Sequence, residues 1–213
     1  MYRKLIPLFA LFCLLVAASC TQTQQYTPAP SSPTAQEDFD SGMRAFNQEQ
    51  YQAALSSFEQ AVSMSPGFVE AQYYAGLSAW KLNMTEKAKK DFLDALRLDS
   101  NHLKTRESLG VLYCTTGEYD NAKQQLEAAR SLNSINPRVY LCLGRIYVME
   151  GRCPEALKVF EKGIQADSSY LPLKNEYDAA KRKCGKGGAA KAQPAAQEKT
   201  FRGGGKAIDP SDF

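Results

Sequence analysis

The stretch LGVLYCTTGEYDNAKQQLEAA, residues 109–129, decides the fold. It opens with Leu109-Gly110 and Tyr113, breaks at Gly117, and resumes with Ala122, Leu126 and Ala129. The last three stand at i, i+4 and i+7, on one face of a helix. The same figure returns 34 residues later as Gly144, Ala156, Phe160 and Gly163. Upstream it appears as Gly76, Ala88, Phe92 and Ala95, and before that as Gly42, Ala54, Phe58 and Ala61. Four columns recurring four times without an insertion mark a stack of repeated helix pairs. Small residues at fixed positions let two helix backbones approach, and the intervening Phe or Leu fills the space between pairs.

Working outward, the register predicts first helices over about 35–48, 69–82, 103–116 and 137–150, and second helices over about 52–65, 86–99, 120–133 and 154–167. Gly117 and Gly151 supply left-handed residues that end a helix. Pro137 and Pro154 stand in first turns, where the missing N–H costs nothing. A last amphipathic helix, about 171–184, carries Leu171, Leu173 and Tyr177 on one side and Lys174, Lys181, Arg182 and Lys183 elsewhere. A stack of repeats needs such a polar-backed cap.

Leu109-Gly110-x-x-Tyr113 and Leu143-Gly144-x-x-Tyr147, with the alanine, phenylalanine and Pro66 columns, resemble the tetratricopeptide repeat family. Serines 100, 134 and 168 replace the closing proline elsewhere, and the family's tryptophan position is held by Asp38, Gln72, Arg106 and Tyr140. The resemblance implies an all-α, right-handed superhelical solenoid with repeats at 35–68, 69–102, 103–136 and 137–170 and a cap at 171–184. It also implies a concave face lined by positions 2, 5, 9, 12 and 13 of each repeat. On this chain those positions include Phe39, Met43 and Phe46, then Tyr73, Leu77 and Trp80, then Lys104 and Val111, then Arg138, Leu141 and Arg145. The first half of such a groove is apolar and the second more basic. Leaving the apolar residues in water forgoes about 1.5–3 kcal/mol for each large side chain. That points to a partner: an amphipathic helix or extended peptide with apolar anchors and some acidic residues. The alternative is that these side chains pack on one another or on a second copy. The Lys and Asn that let one subfamily grip acidic C-termini are absent, because Phe39 and Met43 stand in their places.

The N-terminus reads as an export signal. Arg3 and Lys4 precede an apolar run from Leu5 to Val16 and the small residues Ala17-Ala18-Ser19. The run is shorter than the ~20 residues of a spanning helix. Ala17-Ala18-Ser19-Cys20 resembles a bacterial lipobox, with Ala17 where Leu is usual. The resemblance implies a signal peptide over 1–19 and lipidation of Cys20, which would attach the protein to a membrane. Residues 20–34 would be a flexible tether. Thr21, not Asp, follows the cysteine, which favours the periplasmic side of an outer membrane. Ordinary cleavage at the same place would give a soluble periplasmic or secreted protein instead. At the other end, residues 185–213 are glycine-rich and poor in apolar residues, and read as a disordered tail.

Four cysteines lie beyond Cys13 and Cys20: Cys114, Cys142, Cys153 and Cys184. In the repeat register Cys153 and Cys184 both fall at the turn end of neighbouring hairpins, which allows a disulfide. Cys114 and Cys142 fall at positions 12 and 6 of neighbouring helices, roughly 9 Å apart in helical rise if the helices are level, and are expected to be free. One histidine and no Cys-x-x-Cys argue against a metal site. There is no phosphate-binding loop and no catalytic constellation, so neither a cofactor nor an enzyme is expected. The net charge of +3 is too small for general nucleic-acid binding. The expectation is a membrane-anchored adaptor for assembly of an envelope complex, such as a type IV pilus or secretion system. The alternatives are a self-associating scaffold and a regulator of cell-wall hydrolases.

Overall fold

The computed structural model describes residues 34–185. The proposed leader, the lipidation at Cys20, the tether as far as residue 33 and the tail from residue 186 lie outside the described residues. Among the described residues every regular element is a helix: α1 (Ala35–Asn47), α2 (Tyr51–Met64), α3 (Val69–Lys81), α4 (Thr85–Leu98), α5 (Leu103–Thr116), α6 (Tyr119–Ser131), α7 (Pro137–Met149), α8 (Cys153–Ala166) and α9 (Leu171–Gly185). None of them is long and apolar enough to cross a membrane.

Local chemistry sets the ends. Thr34 caps α1 by accepting from the Glu37 amide, while the Glu37 carboxylate accepts from the Thr34 amide. These two bonds satisfy two otherwise orphaned donors. Asn136 caps α7 ahead of Pro137. Each helix pair then turns on one left-handed residue at the same place in its repeat. Gly117 (φ 82°) and Gly151 (φ 73°) serve in the third and fourth repeats, and Glu49 (φ 58°) and Asn83 (φ 60°) in the first and second. The glycines are readable in the sequence. Glu49 is not, because nothing in its side chain announces a left-handed backbone.

The glycine column marks where the paired helices touch. A Cβ on Gly42 would lie 2.6 Å from the Phe58 ring, and one on Gly76 would lie 2.8 Å from Phe92. Gly110 stands in the same relation to Leu126, and Gly144 to Phe160. All four large side chains are completely buried. An ion pair then crosses every boundary between repeats: Lys87–Glu59 at 2.6 Å, Lys89–Glu118 at 2.8 Å, Lys123–Glu150 at 2.7 Å, and Arg145–Glu176 at 2.6 Å onto α9. Such partly exposed pairs are worth roughly 0–1 kcal/mol each, so they fix register more than they add stability.

Candidate partner-binding face

The first helices α1, α3, α5 and α7 carry the candidate side chains, and the structure divides these into three groups. Tyr73, Leu77, Trp80, Val111 and Leu141 are buried in the core. Phe39, Met43 and Phe46 are half-buried against it, as are Arg138 and Arg145. Lys104 is exposed. The apolar patch anticipated from the register is therefore buried along α3 and half-buried along α1.

The reason is aromatic packing across the repeats. Trp80 meets the Phe92 ring edge-on at 6.3 Å between centroids, which aims it into its own helix pair. Phe39 and Phe46 both pack edge-on against Tyr74 of the next repeat, at 5.8 and 5.7 Å. Tyr73 lies edge-on to His102 at 5.4 Å, and its hydroxyl is 3.4 Å from Ser108 Oγ. Burial pushes the Tyr73 phenol up to about 12, with the Ser108 contact pulling the other way. Such packing buries much of the ring surface against neighbouring side chains.

A recess of about 350 Å³ opens between the N-terminal halves of α3 and α5, lined by Glu70, Tyr73, Tyr74, His102, Leu103 and Lys104. Its wall is aromatic and aliphatic, and it carries an acid, Glu70, and a base, Lys104, both exposed. His102 Nδ1 lies 2.6 Å from Thr105 Oγ1, which fixes the ring at the mouth. Reading the concave positions alone misses Tyr74, His102 and Leu103. They occupy positions 6, 34 and 1, next to the lining positions rather than on them. The arrangement can seat one apolar side chain and pair a neighbouring charge.

Toward the fourth repeat the face becomes polar and tied down. Glu107 accepts from Asn136 Nδ2 and from Ser134 Oγ, and Tyr140 donates to the Ser134 carbonyl. Burial works against the Arg145 charge, but its bond to Glu176 more than offsets this and raises its pKa. Arg145 is thus partly neutralised by α9, which blunts the basic second half anticipated for the groove.

Cys114 and Cys142 are both free thiols, the first half-buried and the second buried. The Cys142 thiol pulls Cys114 below the ordinary thiol range against the effect of burial, whereas Cys114 and complete burial push Cys142 up. Cys153 and Cys184 are joined by a disulfide, with Cα atoms 5.7 Å apart, which fastens α9 to the start of α8. Among the described residues no group of three or more His, Cys, Asp or Glu side chains could hold a metal ion.

Comparison with known proteins places these observations in a family. A family model described as tetratricopeptide repeat matches residues 39–102 and 108–170, more than half of the chain. Anaphase-promoting complex subunit 3 of Schizosaccharomyces pombe is 27% identical over 120 residues, covering 56% of this chain and 18% of that protein. BBSome complex member BBS4 of Mus musculus is 24% identical over 114 residues, covering 54% of this chain and 22% of that protein. The chain thus matches about a fifth of the length of these curated relatives. Among solved structures, a MamA protein superimposes with a TM-score of 0.64 at 19% identity, over 71% of this chain and 82% of the other. The pilF structure from Pseudomonas aeruginosa superimposes at 0.62 with 18% identity, over 71% and 69%. At these identities the structures share the fold.

Proposed function

The chain belongs to the tetratricopeptide repeat family, and on that footing we propose that it is a protein-binding adaptor that takes a segment of its partner against the recess between α3 and α5. The observation that carries this reading is the recess itself. It is an open aromatic pocket with Glu70 and Lys104 at its edge, on a face where Leu77, Trp80, Val111 and Leu141 are buried. A peptide with one apolar anchor and a charge beside it suits the site, since the anchor gains burial and the charge gains a partner. Phe39, Met43 and Phe46 on one side and Arg138 on the other extend the face.

The finer reading is an adaptor of the bacterial envelope, held to a membrane through Cys20 and serving assembly of a pilus or secretion complex. It is supported by the leader-like segment ending in Cys20 and by the likeness in fold to pilF. A photo-crosslinking residue in place of Glu70 or Lys104, in living cells, tests both levels. Recurrent capture of one envelope protein supports the adaptor and names its pathway. Capture of the chain's own copies would replace it with a self-associating scaffold. Labelling at the far side of α9 but not at these two positions would remove the recess from the account.

A further inference from the structure

Leu173 in α9 stands 34 residues beyond Val139 in α7, which stands 34 beyond Thr105 in α5, and all three are completely buried. By that register α9 takes the place of a further inner helix and closes the end of the stack. Its socket is cut to fit. Where the first three repeats have Ala61, Ala95 and Ala129, the fourth has Gly163, and a Cβ there would stand 2.6 Å from Leu173 and 2.5 Å from Tyr140. The missing methyl group makes room for the leucine.

Apart from this socket the hold on α9 is thin. Leu173 and Ala180 are its buried residues, whereas α7 buries most of its length. At the rim, Arg145 pairs with Glu176 at 2.6 Å, and the Tyr177 hydroxyl donates to Glu161 at 2.7 Å. Partly exposed polar contacts of this kind add little. A helix of 15 residues is marginal in water by itself, so its order depends on staying docked. The Cys153–Cys184 bond ties the last turn of α9 to the first turn of α8 across a sequence separation of 31. Both cysteines are half-buried, so the bond is not enclosed in the core.

We propose that α9 is a redox-held lid: a dithiol reductant cuts the Cys153–Cys184 bond, and α9 then swings off the end of the stack and uncovers Tyr140 and Gly163. One thiolate of the reductant attacks one sulfur of the bond, and the other protein sulfur leaves as a thiolate. The reductant's second thiolate attacks the mixed disulfide, and the remaining cysteine leaves in turn. The two protons released by the dithiol end on Cys153 and Cys184. The protein disulfide is reduced to two thiols, and the dithiol is oxidised to a disulfide. The link between Ala166 and Leu171 serves as the hinge. The lid does not involve the recess between α3 and α5, so either reading can fail without the other.

The test follows amide hydrogen exchange of the folded full chain at short labelling times, before and after dithiothreitol, with peptide mapping to verify that the bond is cut. Amides of α9 are expected to exchange roughly a hundredfold faster in the reduced chain, the effect of losing closure of a loop of this length, while α3, α5 and α7 stay protected. Oxidised glutathione should restore the slow exchange. Cys153→Ser/Cys184→Ser should behave as the reduced chain does under either condition. The proposal is overturned if the bond resists dithiothreitol in the folded chain, or if α9 is as protected after reduction as before. It is equally overturned if α9 loses protection only in step with α7 and α8. The unaltered chain decides the matter even if the double variant fails to fold.

Discussion

Phe160 packs onto the bare backbone of Gly144, so closely that a Cβ there would stand 2.3 Å from the ring. Phe160 is completely buried and cannot swing aside into solvent. Gly144→Ala is therefore expected to destabilise the fold by about 1–3 kcal/mol through overpacking. Urea unfolding of the variant checks this. An unchanged midpoint would show that α7 and α8 are free to slide apart.

Gly117 offers the opposite case. No neighbouring atom would meet its Cβ, but its φ is 82°. Gly117→Ala is expected to cost about 1 kcal/mol from backbone strain alone. Glu49 takes the same left-handed geometry without a glycine's freedom. Glu49→Gly should accordingly raise stability by up to about 1 kcal/mol. Thermal unfolding of the two variants should shift in opposite directions.

The Cys153–Cys184 bond spans 31 residues. Cutting it should lower stability by about 3 kcal/mol, because the unfolded chain regains the closed-loop entropy. The check is a urea curve with and without reductant, set beside Cys153→Ser/Cys184→Ser. Equal stability in all three would reduce the bond to an ornament of α9.

Alkali should unfold the protein early. Tyr73 and Tyr147 both titrate at about 12 when folded, raised chiefly by burial, and for Tyr147 also by its bond to Glu127. The unfolded chain gives up these protons near 10.0. Their folded values are raised, so their share of stability is intact below pH 10 and is lost as pH climbs toward about 12. Tyr73→Phe should remove part of that decline while changing little at neutral pH. Unfolding free energy measured against pH, together with tyrosinate absorbance, reads both.

The repeat was legible because its chemistry is local and periodic. Gly42, Gly76, Gly110 and Gly144 announce close helix approach, and the residue sixteen later fills the space. The face was less legible. Position within a repeat says which way a helix points, but exposure depends on what the next repeat brings. Tyr73 is covered by His102 and Ser108, and Phe39 and Phe46 by Tyr74, none of which shares a column with the residue it covers. The recess escaped for the same reason, since it is built from junction residues.

The bond between Cys153 and Cys184 also gives the row of repeats a direction. Solenoids hold together only through contacts between neighbours, so unravelling starts wherever an end comes loose. Here one end is sewn by a covalent stitch, while among the described residues α1 is held by packing and a cap. Under load, as under heat, the molecule should open from its first repeat toward its last, like a zipper with a stop at one end.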